Sequence, residues 1–386
     1  MTGITGSPRD LRALLVCPYG DVGGGAEDWI LAILDHAQGL DVRVVLLAPG
    51  PLDDQFQQRD IPVTVIPTGP RAVDIPRSVV PLTRLVRRLR PDVVVGNGVK
   101  AQIVGAPAAR LAGVASVWIK HDHSWDRMLA RPLALASTTV VATAREVGEV
   151  TRRHDLVVIE PARPPEPYDA EDSRGALAAA GLSGSRLPTL AMLTRLVPYK
   201  GVDIAIRALA LDGGRSWRLA VVGGADSSAP DEVDRLEHLA TELGVRSRVE
   251  FLGRIDHAGR LLRGVDALAV LTRPAGPRTP SGEGYGLTAS EAMMAEIPVV
   301  YGGTGAIARR LGTPHGPAGL VVRQGDPIAM AAALGVLRDP GVRMRLGAAG
   351  RLSALALPDI VTAAGRLVTV LQRAATGARG ARGDSA

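Results

Sequence analysis

Glu283-Gly284-Tyr285-Gly286-Leu287-Thr288-Ala289-Ser290-Glu291 joins a loop rich in glycine and proline to the apolar run Ala292-Met293-Met294-Ala295. The segment reads as a flexible loop running into a helix start. Glycines let backbone N–H groups approach a ligand closely, and the free N–H groups of a helix start favour an anion. Glu283 on the loop and Glu291 in the first turn would then hold hydroxyl groups on either side of that anion. A ligand with phosphate in its middle and polyols at both ends has the chemistry of a nucleotide sugar. Thr288-Ala289-Ser290-Glu291 also matches a capping box, in which Glu291 only satisfies the helix N-terminus. Both readings stand on the local sequence.

The composition bounds the rest. A chain of 386 residues predicts two domains, and 46% apolar with 22% charged residues is the balance of a globular protein. The one cysteine, Cys17, closes the apolar run Ala13–Val16 and reads as a buried strand-end thiol. With no internal disulfide possible, a reducing cytoplasmic setting is expected. Pro8, Arg9 and Asp10 before the first apolar run lead to the expectation of no signal peptide, and no run approaches the ~20 residues that cross a bilayer. Net charge is +6 and aromatics are 3%, which suits a phosphate-bearing small molecule and not a nucleic acid read by stacking. Cations are nearly all arginine. Lys100, Lys120 and Lys200 are the lysines, so each is weighed as a residue with a purpose.

Along the first half, Leu11–Val16 predicts a strand, Pro18–Gly25 a glycine-rich turn and Ala26–Ala37 a helix, the phosphate-binding layout of a Rossmann-like unit. The turn lacks the spacing of the dinucleotide fingerprint, and a plain tight turn is the competing reading. Strands follow at 42–48, 63–66, 92–95, 114–119 and 138–143. The 79–89 helix ends in Arg87-Arg88-Leu89-Arg90. With Arg71, Arg77 and Arg84 these arginines form a basic face, read first as solvated and second as a peripheral membrane contact in the 71–90 region. The fifth strand runs into Lys120-His121-Asp122-His123, a site candidate because ligands in open α/β sheets sit at the carboxyl ends of strands. A metal there would need further ligands at plausible spacing, and none is visible.

Prolines 161, 164, 165 and 167 mark the domain boundary. The expected division is an N-terminal domain over 1–165, a linker over 166–187, a C-terminal domain over 188–355, a helix over 356–375 packing back on the N-terminal domain, and a disordered tail over 376–386. The second half repeats the βα rhythm. It carries Arg195 and Lys200 after a strand at 190–193, Gly223-Gly224 after a strand at 219–222, and the turn Gly302–Gly305. Two such halves predict an α/β protein of two Rossmann-like parallel-sheet domains facing a central cleft. Arg195 and Lys200 would neutralise a departing diphosphate, although either alone also reads as a surface cation.

The order of these features resembles the retaining glycosyltransferases of family 4, with the GT-B fold. The anchors are Gly23-Gly24-Gly25-Ala26-Glu27, His121, Arg195 to Gly201, and Glu283 to Met293, the last similar to the family's E-x7-E element. The resemblance implies that Glu283 and the backbone of Tyr285, Gly286 and Leu287 hold the donor sugar and diphosphate. It implies that Glu291 binds the ribose, and that Arg195 and Lys200 bind the diphosphate with the glycine turns at Gly24, Gly25 and Gly223. His121 would line the sugar pocket, and Arg254 and Ile255 would lie near the base. Two departures stand out: Pro161-Ala162-Arg163 replaces the usual Pro-Asn-Gly, and Ala306-Ile307-Ala308-Arg309 lacks the usual glutamate.

The expected activity is transfer of a sugar from a nucleoside diphosphate to an acceptor hydroxyl, in a lipid, natural product or glycan, with retention at the anomeric carbon. No Asp-x-Asp motif appears, so the reading is metal-independent, with the nucleoside-diphosphate sugar as substrate and no cofactor. The alternatives are a non-catalytic nucleotide-binding protein and a glycoside hydrolase using Glu283 and Glu291 as its carboxyl pair.

Overall fold

The computed structural model describes residues 10–22, 24–69, 72–182, 184–226, 228–273 and 283–383. The chain divides into two compact units, Met1–Ala162 with Pro358–Ala386, and Arg163–Leu357. Each is built on one parallel sheet.

The first unit contains β1 (Leu11–Cys17), β2 (Leu40–Leu46), β3 (Val63–Val65), β4 (Val93–Asn97), β5 (Ala115–Lys120), β6 (Thr139–Ala142) and β7 (Val157–Val158). They lie in the order β3-β2-β1-β4-β5-β6-β7, every pairing parallel. The order reverses between β1 and β4, which opens a crevice at their carboxyl ends. Alternate strand residues face opposite sides, as the pleat requires. Leu15, Val93, Val95 and Val117 face one side, where the helices Gly25–Leu34 and Ile360–Gly383 cover them with Trp29, Ile33, Leu367 and Leu371. Leu14, Val16 and Val94 face the other side, beneath the helices Val79–Leu89 and Val99–Ala112. Trp118 and Val140 meet the helix Asp126–Ala136 on that same side. The helix Val79–Leu89 buries Leu82, Leu85 and Val86, and stops where Arg90 turns left-handed ahead of Pro91.

The second unit contains β8 (Thr189–Leu193), β9 (Arg218–Val222), β10 (Val249–Phe251), β11 (Ala267–Val270), β12 (Val299–Gly302), the short antiparallel hairpin β13 (Gly312–Thr313) and β14 (Gly316–Pro317), and β15 (Gly319–Val322). Its parallel sheet runs β10-β9-β8-β11-β12-β15, so its reversal lies between β8 and β11. Trp217 is fully buried beneath the helix Pro327–Val336, with its indole N–H donating to the Leu334 carbonyl at 3.0 Å.

Two expectations change. The 166–187 stretch contains a helix, Ala170–Ala179, whose first turn donates two N–H groups to the Asp169 carboxylate and which sends Leu177 into the core of the second unit. The last helix continues to Gly383, through the span from 376 where the sequence predicts a disordered tail. Ala363, Ala364, Leu367 and Leu371 of that helix lie in the core of the first unit.

Candidate active site

The reversal point of the second unit brings two loops together. The loop after β8 carries Arg195 and Lys200, and the segment after β11 carries Thr272, Arg273 and Glu283. Residues 274–282 lie outside the described ones. Lys200 donates to the Glu283 carboxylate at 2.9 Å, and the Thr272 hydroxyl donates to the same oxygen at 2.9 Å. Arg273 bridges back to the Asp203 carboxylate and the Pro198 carbonyl, both at 3.0 Å, so the two segments are tied at more than one point. Burial pushes the Glu283 carboxyl up, but the Lys200 ammonium, the two side-chain hydrogen bonds and the field of Arg195 outweigh it and hold it below its ordinary value. Glu283 is therefore a carboxylate, an acceptor of hydroxyl protons and not an acid. Tyr301, on β12, feels its own burial first and then the Glu283 charge, and its phenol is pushed up to about 12.

Arg195 is half-exposed. It donates to Asp226 at 2.8 Å and to the Tyr199 hydroxyl at 2.7 Å. The Gly223 N–H donates to the Gly253 carbonyl at 2.8 Å. Arg254 passes beside Gly224 and pairs with Asp256 at 3.4 Å, while Ile255 packs against the core.

The structure removes the capping-box reading of Glu291. The helix after the loop begins at Leu287, and its N-cap is Gly286 at φ 81°, a setting that suits glycine. Glu291 is thus in the second turn, not the first, and no side chain caps this helix. Its carboxylate instead lies against the backbone of Gly259, where a Cβ would overlap it. A fully buried hydroxyl on the same helix, Ser290, receives Arg310. Arg310 also donates to the Tyr285 carbonyl at 2.8 Å and covers the Tyr285 ring at 4.1 Å. Arg310 thus clamps the loop carrying Glu283 from behind, and no sequence motif announced it.

In the first unit, the helix Gly25–Leu34 starts from Gly24, and the Glu27 side chain folds back over that glycine. Gly23 lies outside the described residues. His121 follows β5, with Nε2 2.6 Å from Asn97 Oδ1 at the end of β4 and its ring edge-on to Trp29 at 5.3 Å. With the amide oxygen facing it, Nε2 carries the proton and Nδ1 remains an acceptor. Burial pushes His121 down to about 4; Asp122 opposes this and Lys120 adds to it. The neighbouring Lys120 is fully buried and pairs with Asp126 at 2.6 Å, and Asp126 also meets His123 at 3.0 Å. The His-Asp-His stretch is therefore anchored through His123 to the partner of Lys120, and no cluster of three or more metal-ligating side chains occurs among the described residues. All three lysines have defined surroundings: Lys100 lies 4.8 Å from the Tyr19 ring, Lys120 on Asp126 and Lys200 on Glu283.

Comparison with known proteins follows the same division. Residues 23–162 match the family model "Glycosyltransferase Family 4", and residues 177–353 match "Glycosyl transferases group 1". A D-inositol 3-phosphate glycosyltransferase of Nocardia farcinica is 31% identical over 245 residues, 60% of this chain and 50% of that protein. A GDP-mannose-dependent alpha-(1-6)-phosphatidylinositol monomannoside mannosyltransferase of Mycobacterium tuberculosis is 33% identical over 273 residues, 64% of this chain and 66% of that protein. The chain spans about half the length of the inositol-phosphate relatives it matches. The crystal structure of Anabaena HepE in complex with UDP and glucose superposes with a TM-score of 0.77 at 23% identity, covering 94% of this chain and all of that one. A sucrose-phosphate synthase from Thermosynechococcus elongatus also reaches 0.77, at 19% identity, covering 94% and 98%. Two Rossmann-like sheets, a cation–carboxylate crevice at the second reversal point and two family models that together match most of the sequence lead to one assignment: the chain belongs to glycosyltransferase family 4 and has the GT-B fold.

Proposed function

We propose that the protein transfers a sugar from a nucleoside diphosphate to an acceptor hydroxyl, with retention at the anomeric carbon and without a metal ion. The observation that carries this reading is the Lys200–Glu283 pair across the reversal point of the second sheet, with Arg195 on the same loop as Lys200. The donor diphosphate takes Arg195 and Lys200 as counter-charges, and Glu283, released from Lys200, accepts hydrogen bonds from sugar hydroxyls. Glu291, set against Gly259, meets the ribose hydroxyls, and Arg254 and Ile255 lie toward the base. In the first unit the reversal-point crevice holds the acceptor, with neutral His121 as a hydrogen-bond acceptor through Nδ1.

The bond from the anomeric carbon to the diphosphate oxygen breaks as the acceptor oxygen bonds to that carbon on the same face. The acceptor proton passes to the departing oxygen. Charge grows on the diphosphate as it leaves, so fixed cations stabilise the transition state more than the ground state. A relative named for a phosphatidylinositol mannoside and others named for inositol 3-phosphate support a polyol acceptor. In the hydrolase alternative Glu283, held low, can serve only as the carboxylate of the pair, which leaves the acid to Glu291.

The test is a thermal-shift screen against nucleotide sugars, followed by turnover of the best donor in the presence of a chelator. Stabilisation by one nucleotide class, turnover that survives the chelator and retained anomeric configuration are expected. Lys200→Ala should lower kcat by about 10²-fold. A change within about threefold would remove the electrostatic account, and tight donor binding without turnover over many acceptors would favour a non-catalytic binder.

A further inference from the structure

We propose that the outer face of the helix layer Val79–Leu89, Val99–Ala112 and Asp126–Ala136 docks on an anionic phospholipid bilayer. The three helices cover one side of the first sheet, the middle one packing against both neighbours. Together they contain a single acid, Asp126, which is turned inward onto Lys120 and His123. Arg84, Arg88, Arg110, Arg127 and Arg131 are all exposed, and none of the five has an ion-pair partner among the described residues. Large apolar side chains stand between them. Val80 is 54% exposed, Leu111 58%, Met128 67% and Leu135 79%.

On the third helix the apolar positions form a stripe. Trp125, Met128, Pro132 and Leu135 are spaced three, four and three residues apart, opposite the buried Ala130, Leu133 and Ala134. Trp125, exposed at the N-cap, is held at φ 59°, an uncommon backbone setting for a bulky residue. The next residue, Asp126, is fixed by buried Lys120, so the indole is presented from a rigid base. Arginines interspersed with Trp, Met and Leu on an otherwise acid-free face are the chemistry of an interfacial surface: cations meet lipid phosphates and apolar tips enter the acyl boundary.

Charge complementarity selects the bilayer over the other occupants. A nucleic acid would leave the apolar tips without a role and finds one aromatic in place of a stacking row. A second copy related by a two-fold axis would set arginine against arginine. The inference does not depend on the proposed transfer reaction, because vesicle binding requires no turnover.

The experiment is co-sedimentation of the full chain with vesicles of phosphatidylcholine plus phosphatidylglycerol, and with vesicles of phosphatidylcholine alone. Binding to the anionic vesicles and little to the neutral ones is expected. Arg84→Glu with Arg88→Glu should weaken partitioning by about tenfold or more. Met128→Ser with Leu135→Ser should weaken it several-fold as well. All four side chains are exposed, so thermal unfolding should stay unchanged and certify the fold. Three results overturn the proposal. One is equal partitioning of the wild type and the charge-reversed pair. Another is heparin binding that follows the arginines while Met128→Ser with Leu135→Ser leaves vesicle binding intact, which indicates a general polyanion surface. The third is a dimer in size-exclusion that Met128→Ser with Leu135→Ser dissociates, which indicates a second copy as the occupant.

Discussion

The Glu291 carboxylate has room against a segment remote in sequence because residue 259 is glycine. A methyl group at Gly259 would overlap the carboxylate, so Gly259→Ala must displace one or the other. Under the proposed ribose role, Gly259→Ala weakens nucleotide affinity by about tenfold, the scale of one charged hydrogen bond. Isothermal titration with the free nucleotide measures this, and unchanged affinity would remove Glu291 from the ribose. His121 gives a pH dependence of known sign. Its folded value of about 4 lies below the ordinary 6.5, so the unfolded chain takes up a proton that the folded chain refuses. Its contribution is complete above pH ~6.5, falls as pH drops toward 4, and levels off below that. Allowing for partial exposure of the ring, the loss is on the order of 1–2 kcal/mol. Denaturant unfolding of wild type and His121→Phe between pH 7 and 4 should show a shallower slope in the variant.

The described residues just before the helix Leu287–Met294 are held by partners from elsewhere in the chain. Arg310, on the helix Ala306–Leu311, bonds the Tyr285 carbonyl, the Tyr285 ring and the Ser290 hydroxyl. Arg310→Met keeps most of the side-chain length but removes the donors. It should cut kcat/KM for the donor by ~10-fold or more while Lys200→Ala mainly cuts kcat, since loosening the loop misplaces every group it carries. Steady-state kinetics on both variants distinguishes the two effects.

These elements also show what sequence could carry. That Glu283 and Lys200 share one crevice was legible, because each follows a strand of the same parallel sheet at its carboxyl end. Arg310 was not, because its partners lie well apart from it in sequence and meet it only after folding. The capping-box reading of Glu291 failed by two residues of helix register, which Gly286 sets by its left-handed backbone. The helix Ala170–Ala179 was masked by the prolines before it, although Asp169 with Glu171 and Asp172 forms an acidic helix start. Gly377, Gly380 and Gly383 are poor helix formers and suggested an early end to the last helix, which continues past the first two of them.

Each unit has its own apolar core on both sides of its own sheet, so heat should not melt the molecule as a single cooperative block. Differential scanning calorimetry is expected to show two transitions. Saturating nucleotide should raise the one belonging to Arg163–Leu357, by about 2.7 kcal/mol of added stability at a hundredfold excess over Kd. A single transition that shifts as a whole would show the units to be thermodynamically inseparable.

The helix Ile360–Gly383 follows the second unit in sequence yet completes the core of the first. During translation, β1 to β7 emerge early, but the apolar side of their sheet waits for Leu367 and Leu371, which are made after the entire second unit. The half made first is therefore finished last, and for the time taken to synthesise some two hundred residues it shows the cell the part of that surface that the helix Gly25–Leu34 does not cover. Chaperone demand and the toxicity of prematurely terminated chains should concentrate on that interval of synthesis.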